Sequence, residues 1–100
     1  MEKRLPHYSL DTIKATFCDA ASLRLTGTAR RSARELGFTL GQVVVVIQSI
    51  TREHFYKSMT TYASSAVWHD VYHVPCPDVV LYVKLTIDPE GYIVISFKEK

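Results

Sequence analysis

A β-hairpin near the end of the chain constrains the fold more than any other feature. Residues 79–87 alternate between apolar and polar side chains, which is typical of a strand with one buried face. Residues 88–91, Asp-Pro-Glu-Gly, are typical of a tight turn, and the alternation resumes in residues 92–98. The sequence therefore predicts two antiparallel strands whose apolar side chains share one face. That face would consist of Leu81, Val83, Leu85, Ile87, Ile93, Ile95 and Phe97.

The first half of the chain shows helical spacing instead. Ser9 is a candidate N-cap for a helix that begins at Leu10 and includes the apolar positions up to Ala21. A second helix is predicted over residues 28–36. Gly37 then occupies the position at which a left-handed residue commonly ends a helix.

Residues 42–50 are ambiguous. Four consecutive valines favour a strand, whereas the spacing of the flanking apolar residues fits a helix with one very apolar face. We favour the helix, because a new capping signal begins at Thr51. Residues 66–74 are predicted to form a further strand that ends at Pro75.

The order of these elements indicates the fold class. Helices come first and antiparallel strands follow, which predicts an α+β protein with N-terminal helices packed on one face of a C-terminal antiparallel sheet. No repeat or linker divides the 100 residues, so we expect one domain over residues 1–100.

Composition excludes several classes of protein. With 47% hydrophobic and 22% charged residues, the chain fits a soluble globular protein and not a disordered one. Its longest aliphatic run, residues 43–47, is far too short to span a bilayer, and the first residues lack the apolar segment of a secretion signal. The two cysteines do not make a disulfide framework. We expect a cytoplasmic protein with free thiols and no membrane partner.

The polar face of the predicted hairpin suits chemistry on a phosphate group. Tyr82, Lys84, Ser96 and Lys98 fall on that face, and pairing around the turn would place Tyr82 beside Lys98. RNA cleavage through the 2′-hydroxyl requires a base, an acid for the leaving 5′-oxygen and positive charge on the transition state. Lysine and tyrosine side chains can supply these groups. They are also ordinary residues of a sheet surface, so a polar binding face is the alternative.

Two histidines and several aromatic residues precede the hairpin. On a strand, His69 and His73 would lie roughly 13 Å apart, at about 3.3 Å per residue, so they could not share a metal ion. There is no other clustered ligand set, and no cofactor is expected. A single histidine near Lys57 or Lys98 would be an acid or base candidate. The pattern does not decide which face His69 occupies.

Other side chains could contact nucleic acid or have only structural roles. The aromatic residues could stack on single-stranded bases or pack in the core. The arginines of the second helix could bind phosphate, bind an acidic partner, or form a solvated surface. The aromatic residues are Tyr56, Tyr62, Trp68 and Tyr72, and the arginines are Arg30, Arg31 and Arg34.

Several segments of the sequence resemble a known family. These segments are Glu-Lys-Arg-x-Pro-His at residues 2–7, a block ending in Phe-Tyr-Lys-Ser-Met-Thr-Thr-Tyr at 53–62, Val-Trp-x-Asp-Val-Tyr at 67–72, Leu-Tyr-Val-Lys at 81–84, and Ile-Ser-Phe-Lys-Glu-Lys at 95–100. Together they resemble the MqsR toxins, the motility quorum-sensing regulators, from residue 1 to residue 100.

The resemblance implies a function. MqsR-like toxins belong to type II toxin–antitoxin systems, have a RelE-like α+β fold, and are metal-independent mRNA endoribonucleases that favour GC-containing triplets and cut free mRNA. The implied partners are therefore an mRNA substrate and an MqsA-like antitoxin, with a zinc-binding N-terminal part and a helix-turn-helix C-terminal part. The alternative is a non-catalytic module, derived from such a toxin, that binds RNA or protein.

The resemblance also indicates site residues. Lys57, Tyr82 and Lys98 match functional positions of the family, while His69 replaces its usual glutamine and His73 replaces an arginine that is often found. We expect catalytic roles for Lys57, His69, Tyr82 and Lys98. Substrate-binding roles are expected for Tyr56, His73, Lys84 and Ser96. The change at His69 makes an altered triplet preference and pH optimum possible.

Overall fold

Five strands form one antiparallel sheet in chain order, and three helices pack against it. The computed structural model describes residues 1–100. A short 3-10 helix, Arg52–His54, separates the last helix from the second strand. The elements are β1 (Glu2–Lys3), α1 (Leu10–Thr16), α2 (Gly27–Glu35), α3 (Leu40–Ser49), β2 (Phe55–Thr60), β3 (Trp68–Pro75), β4 (Val80–Asp88) and β5 (Gly91–Glu99).

The hydrophobic core lies between the helices and one face of the sheet, which confirms the predicted α+β class. Seventeen buried residues form one cluster that joins helix and strand side chains. The burial of these side chains is the main favourable term in folding. Fully buried examples are Ile13 and Phe17 from the first helical segment, Val43 and Ile47 from α3, and Leu81, Val83, Leu85 and Phe97 from the hairpin.

The helix boundaries follow from side-chain caps. Ser9 and Thr26 accept hydrogen bonds from backbone N–H groups in the first turns of α1 and α2. Gly37 follows α2 with a φ of 86°, a left-handed conformation that a glycine adopts without strain. Thr39 and Gln42 form a reciprocal capping box, so residues 40–49 are helical, as favoured over the strand alternative.

The first helix is shorter than predicted. It ends at Thr16, so Ala20 and Ala21 lie outside it. The Asp19 carboxylate accepts a hydrogen bond from the Ser22 N–H at 2.8 Å, which stabilises a turn in competition with the helix. The Gln48 amide of α3 donates to two carbonyls at the end of this helical segment, those of Lys14 and Phe17.

Two strands were not predicted. The capping signal at Thr51 leads only to the 3-10 turn, and the chain then enters β2 between β1 and β3. β1 contains two residues, Glu2 and Lys3, which pair with Met59 and Ser58 of β2. A two-residue strand is too short to show periodicity, and its pairing depends on a segment more than 50 residues away.

A β-bulge changes the predicted faces of the hairpin. Lys84 pairs with Ser96 but Leu85 pairs with Val94, so Ile95 is an extra residue of β5. Because of this extra residue, Val94 is fully buried in the core and not on the polar face. Ile93 and Ile95 are only partly buried, and their predicted core positions are wrong. The prediction for Ile87 at the end of β4 is also wrong, because its side chain is 46% exposed.

Candidate active site

The sheet face opposite the helices carries a row of one apolar and three polar residues across four strands. The Cα partners in this row are Lys57 of β2, Val71 of β3, Lys84 of β4 and Ser96 of β5. Val71 is fully buried, although it lies outside the helix-facing core. Its two partners are lysines, whose aliphatic stems can cover an apolar neighbour while the ammonium groups stay in water.

A second row lies two residues along the strands and therefore on the same face. His73, Tyr82 and Lys98 are partners in this row, as predicted for Tyr82 and Lys98. The Lys98 Nζ lies 5.1 Å from the centre of the Tyr82 ring. On the other side, the imidazole of His73 stacks on Tyr56, with 4.3 Å between ring centres.

His69 joins this face from the same strand as Val71 and His73. These three residues alternate along β3 with the side chains of Asp70, Tyr72 and Val74, so they point to one side of the sheet. The two rows, together with His69 and the Tyr56 ring stacked on His73, thus bring together every sequence-predicted site residue. We call this surface the open face: Tyr56, Lys57, His69, Val71, His73, Tyr82, Lys84, Ser96 and Lys98.

A cleft adjoins the open face at its β1 side. It has a volume of about 440 Å³ and is lined by His69 and Lys84 together with β1, the end of β2 and the following loop. Its remaining lining residues are Met1, Glu2, Met59, Thr60, Thr61 and Tyr62. Lys84 and the two threonines give this cleft polar groups that could contact part of an RNA ligand.

The three lysines of the open face differ in their electrostatic surroundings. The Lys57 ammonium donates a 2.6 Å hydrogen bond to the Glu2 carboxylate, which raises the pKa of Lys57. Burial lowers the pKa of Lys84, and the charges of Lys98 and Lys57 lower it further. Lys57 is therefore held as a cation, whereas Lys84 gives up its proton more readily than an ordinary lysine.

The phenol of Tyr82 is suited to donating a proton or a hydrogen bond. Burial raises its pKa above the ordinary value of 10.0, an effect opposed by the charge of Lys57. The phenol therefore stays protonated at neutral pH. The Lys84 Nζ lies 6.0 Å from the ring centre, so two of the lysines flank this one side chain.

His69 is neutral near pH 7. Burial and the nearby Lys84 charge lower its pKa below the ordinary value of 6.5, although Asp70 acts in the opposite direction. Its Nδ1 atom is buried without a hydrogen-bond partner, so an N–H there would have no acceptor. The favoured tautomer carries its proton on Nε2. In that form the ring is a hydrogen-bond donor, as a glutamine amide would be.

Not all aromatic candidates reach the open face. Tyr72 is fully buried in the core, and burial raises its pKa to about 12. Trp68 stacks on His7 with 5.3 Å between ring centres, and the Lys3 ammonium lies 4.2 Å from the centre of the Trp68 ring. Of the other candidates, Tyr62 is exposed beside the cleft. The arginines of α2, Arg30, Arg31 and Arg34, are also exposed.

Glu2 is the charged residue beside the open face that sequence reasoning missed. It contacts Lys57 across 55 positions of the chain, and the two-residue strand that carries it shows no pattern. The only available signal was its place in the first segment of the family resemblance.

The remaining features concern metal binding, cysteine pairing and membrane insertion. No group of three or more His, Cys, Asp or Glu side chains is arranged to hold a metal ion. Both cysteines, Cys18 and Cys76, are free thiols. None of the helices has the length and apolar character needed to cross a membrane.

Comparison with known proteins identifies the family. The family model described as "Motility quorum-sensing regulator, toxin of MqsA" matches residues 5–99. The mRNA interferase toxin MqsR of Escherichia coli (strain K12) is 38% identical over 100 residues, which cover 100% of both chains. The chain therefore belongs to the MqsR toxin family.

Proposed function

We propose that the chain is an mRNA endoribonuclease, the toxin of a toxin–antitoxin pair, and that it cleaves RNA on the open face without a metal ion. One observation carries this proposal: the ammonium groups of Lys84 and Lys98 lie 6.0 and 5.1 Å from the centre of the Tyr82 ring, on a surface that also contains His69 and Lys57. The family relative from Escherichia coli is named as an mRNA interferase.

The open face offers the groups that 2′-hydroxyl chemistry requires. The substrate 2′-hydroxyl loses its proton to the amine of Lys84, whose lowered pKa allows it to act as the base, and the hydroxyl oxygen attacks the adjacent phosphorus atom. The bond from phosphorus to the 5′-oxygen breaks, and that oxygen takes a proton from an acid. The products are a 2′,3′-cyclic phosphate and a free 5′-hydroxyl.

The proposed roles follow from the charge and protonation state of each group. Lys57 and Lys98 stabilise the negative charge that develops on the phosphate oxygens. Tyr82, protonated at neutral pH, donates to the phosphate or to the leaving oxygen. His69 donates from Nε2 beside the scissile group.

The remaining residues of the open face would hold the RNA in place. The stacked pair of Tyr56 and His73 presents an aromatic surface on which a base can stack. Lys84 and Ser96, which are partners on β4 and β5, would also contact the phosphate backbone.

We further propose that an MqsA-like antitoxin neutralises this activity in the cytoplasm. The matching family model is described as the toxin of MqsA. The zinc-binding and helix-turn-helix parts of that partner are those implied by the family resemblance.

Cleavage of a defined RNA tests the proposed function. The purified protein is incubated with single-stranded RNA in excess EDTA, and the 5′ ends and the terminal phosphates of the products are mapped. We expect cleavage that leaves 2′,3′-cyclic or 3′-phosphate ends. The matched substrate carries a 2′-deoxy nucleotide at the mapped position and should resist cleavage there. Loss of activity in EDTA that magnesium restores contradicts the mechanism, and binding without cleavage supports a non-catalytic module.

A further inference from the structure

The Glu2 carboxylate is the ion-pair partner of an open-face lysine. Its Oε1 accepts from the Lys57 Nζ at 2.6 Å, and the Glu2 and Lys57 side chains are 58% and 23% exposed. The other ion pairs of the structure join Arg24 to Asp88 and Glu90, away from the open face. Glu2 is thus the single carboxylate paired with the lysines of the site.

The segment that carries Glu2 is fixed to the sheet by a buried carboxylate. Asp70 is fully buried on β3, between His69 and Val71 of the open face. It accepts hydrogen bonds from the backbone N–H groups of His7 and Tyr8 at 2.9 to 3.1 Å. The Ser58 hydroxyl also donates to it, at 2.6 Å.

These bonds make the first residues of the chain part of the site. β1 pairs with β2 directly beside Lys57, and Asp70 holds the segment that follows β1. Contacts of Lys3 and His7 with the Trp68 ring add to this attachment. Glu2 is therefore presented to Lys57 by backbone pairing and not only by a flexible side chain.

Lys57 needs such a partner to hold one position. A lysine ammonium is a compact charge on a stem with four rotatable bonds, so it has no fixed geometry by itself. The nearby charge of Lys84 repels it. The Glu2 contact holds the ammonium 5.3 Å from the centre of the Tyr56 ring, at the edge of the open face.

We propose that Glu2 is a positioning residue for RNA cleavage: it holds the Lys57 ammonium in place for the substrate phosphate, so that Lys57 acts as a cation and not as the base. This inference rests on the proposed function and assigns one role within it. The raised pKa of Lys57 and the lowered pKa of Glu2, both due mainly to their mutual hydrogen bond, agree with this role.

If the Glu2 carboxylate is removed, a positioning role and simple charge repulsion predict opposite effects on the rate of the chemical step. RNA is a polyanion, so removal of any nearby carboxylate should strengthen RNA binding and leave the chemical step unchanged or faster. If Glu2 positions Lys57, its removal should slow the chemical step even though binding improves.

The experiment compares Glu2→Gln and Glu2→Asp with wild type in single-turnover cleavage of one RNA. In Glu2→Gln we expect the rate constant of cleavage to fall by about 10-fold, the scale of a modest misplacement, with equal or tighter RNA binding. Glu2→Asp keeps the charge and should lose less activity. Glu35→Gln, which removes an exposed carboxylate from α2, is the matched control and should leave the rate constant unchanged.

Two further measurements isolate the contact. In a double-mutant cycle, Glu2→Gln should cause no further loss once Lys57 is replaced by alanine. NMR titration of the Lys57 side chain in the free protein should give a lower pKa in Glu2→Gln than in wild type.

The outcomes separate this inference from the proposed function. If wild type does not cleave RNA, the proposed function fails, whatever the titration shows. If wild type cleaves and Glu2→Gln cleaves as fast or faster, Glu2 is not a positioning residue. An unchanged Lys57 titration, or a full additional loss in the double variant, also overturns the inference.

Discussion

Tyr82 and Lys98 are opposite each other on β4 and β5 because of the single extra residue, Ile95, in β5. From the turn outward, Asp88 pairs with Gly91 and Leu85 with Val94, and this register alone would place Phe97 opposite Tyr82. The bulge shifts the pairing by one residue, so Lys98 takes that place and Phe97 enters the core. Bulges often redirect side chains next to active sites.

Removal of the proposed catalytic groups of the open face should abolish most of the activity. Lys57→Ala, Tyr82→Ala and Lys98→Ala are each expected to lower the cleavage rate by about 10² or more, the usual scale for a placed acid, base or charge. Folding should survive, because the three side chains lie outside the core cluster. Circular dichroism and single-turnover kinetics measure the two effects.

Arg31→Ala provides a control for general loss of positive charge. It removes a cation from the exposed surface of α2 and should leave the chemical step almost unchanged. Near wild-type cleavage by two or more of the three alanine variants would show that the active site lies elsewhere.

His69 should leave a mark on the pH dependence of cleavage. Its pKa is lowered, so we expect an inflection below about pH 6.5, the ordinary histidine value. Below that inflection the ring gains a charge beside Lys84 and the favoured tautomer is lost. In His69→Gln the inflection should disappear while much of the activity remains, because the amide is a donor that does not titrate. Superimposable profiles and cleavage sites for both proteins would mean that His69 has only a structural role.

The sequence could predict the parts of this fold that have a regular local pattern of side chains. Helix caps and alternating strands are local patterns, so the second and third helices and the β4–β5 hairpin were confirmed. Strand parity also grouped Tyr82 with Lys98. The bulge at Ile95 could not be predicted, because an extra residue keeps the apparent alternation while it changes the face.

The rest of the site depends on contacts between distant segments. Lys57 was selected as a possible neighbour of a catalytic histidine and from the family resemblance, and not from its strand, because β2 was not predicted. Glu2 and Asp70 act through partners 55 and 62 or 63 residues away, and no local pattern records such pairs. The grouping of these charged side chains can therefore be recognised only when the positions of all five strands are known.

The buried Asp70 carboxylate should be important for stability. Asp70→Asn keeps the size of the side chain but presents an NH₂ group or a neutral oxygen to three donors, those of His7, Tyr8 and Ser58. We expect a decrease of roughly 2–4 kcal/mol in the free energy of unfolding, because hydrogen bonds to a charged group are lost in a buried place. Urea denaturation measures this change. Asp78→Asn at an exposed position is the control and should change the free energy of unfolding only slightly. An effect at Asp70 as small as that of the control would contradict the prediction.

The ion pair between Arg24 and Asp88 should make stability depend on acid pH. The Arg24 guanidinium donates to both Asp88 oxygens, at 2.9 and 2.7 Å, and to the carbonyls of Gly91 and Tyr92, which attaches the hairpin turn to the segment before α2. The hydrogen bond from Arg24 lowers the pKa of Asp88 from 3.8 to about 2. Because the folded-state pKa is below the unfolded one, the unfolded chain binds the proton more readily. The stabilisation is therefore fully present above the unfolded pKa and is lost as the pH falls toward the folded one.

Urea unfolding of wild type and Asp88→Asn over a pH series measures this dependence. The difference in the free energy of unfolding between the two proteins should be constant above about pH 5 and should shrink as the pH falls from about 4 to about 2. Asp78→Asn, a change at an exposed carboxylate of the β3–β4 connection, is the matched control and should show no comparable decrease. If the difference in the free energy of unfolding between wild type and Asp88→Asn stays the same throughout the acid range, the Asp88 carboxylate does not titrate as a partner of Arg24. The hairpin turn would then be held mainly by the two backbone carbonyls that accept from the guanidinium.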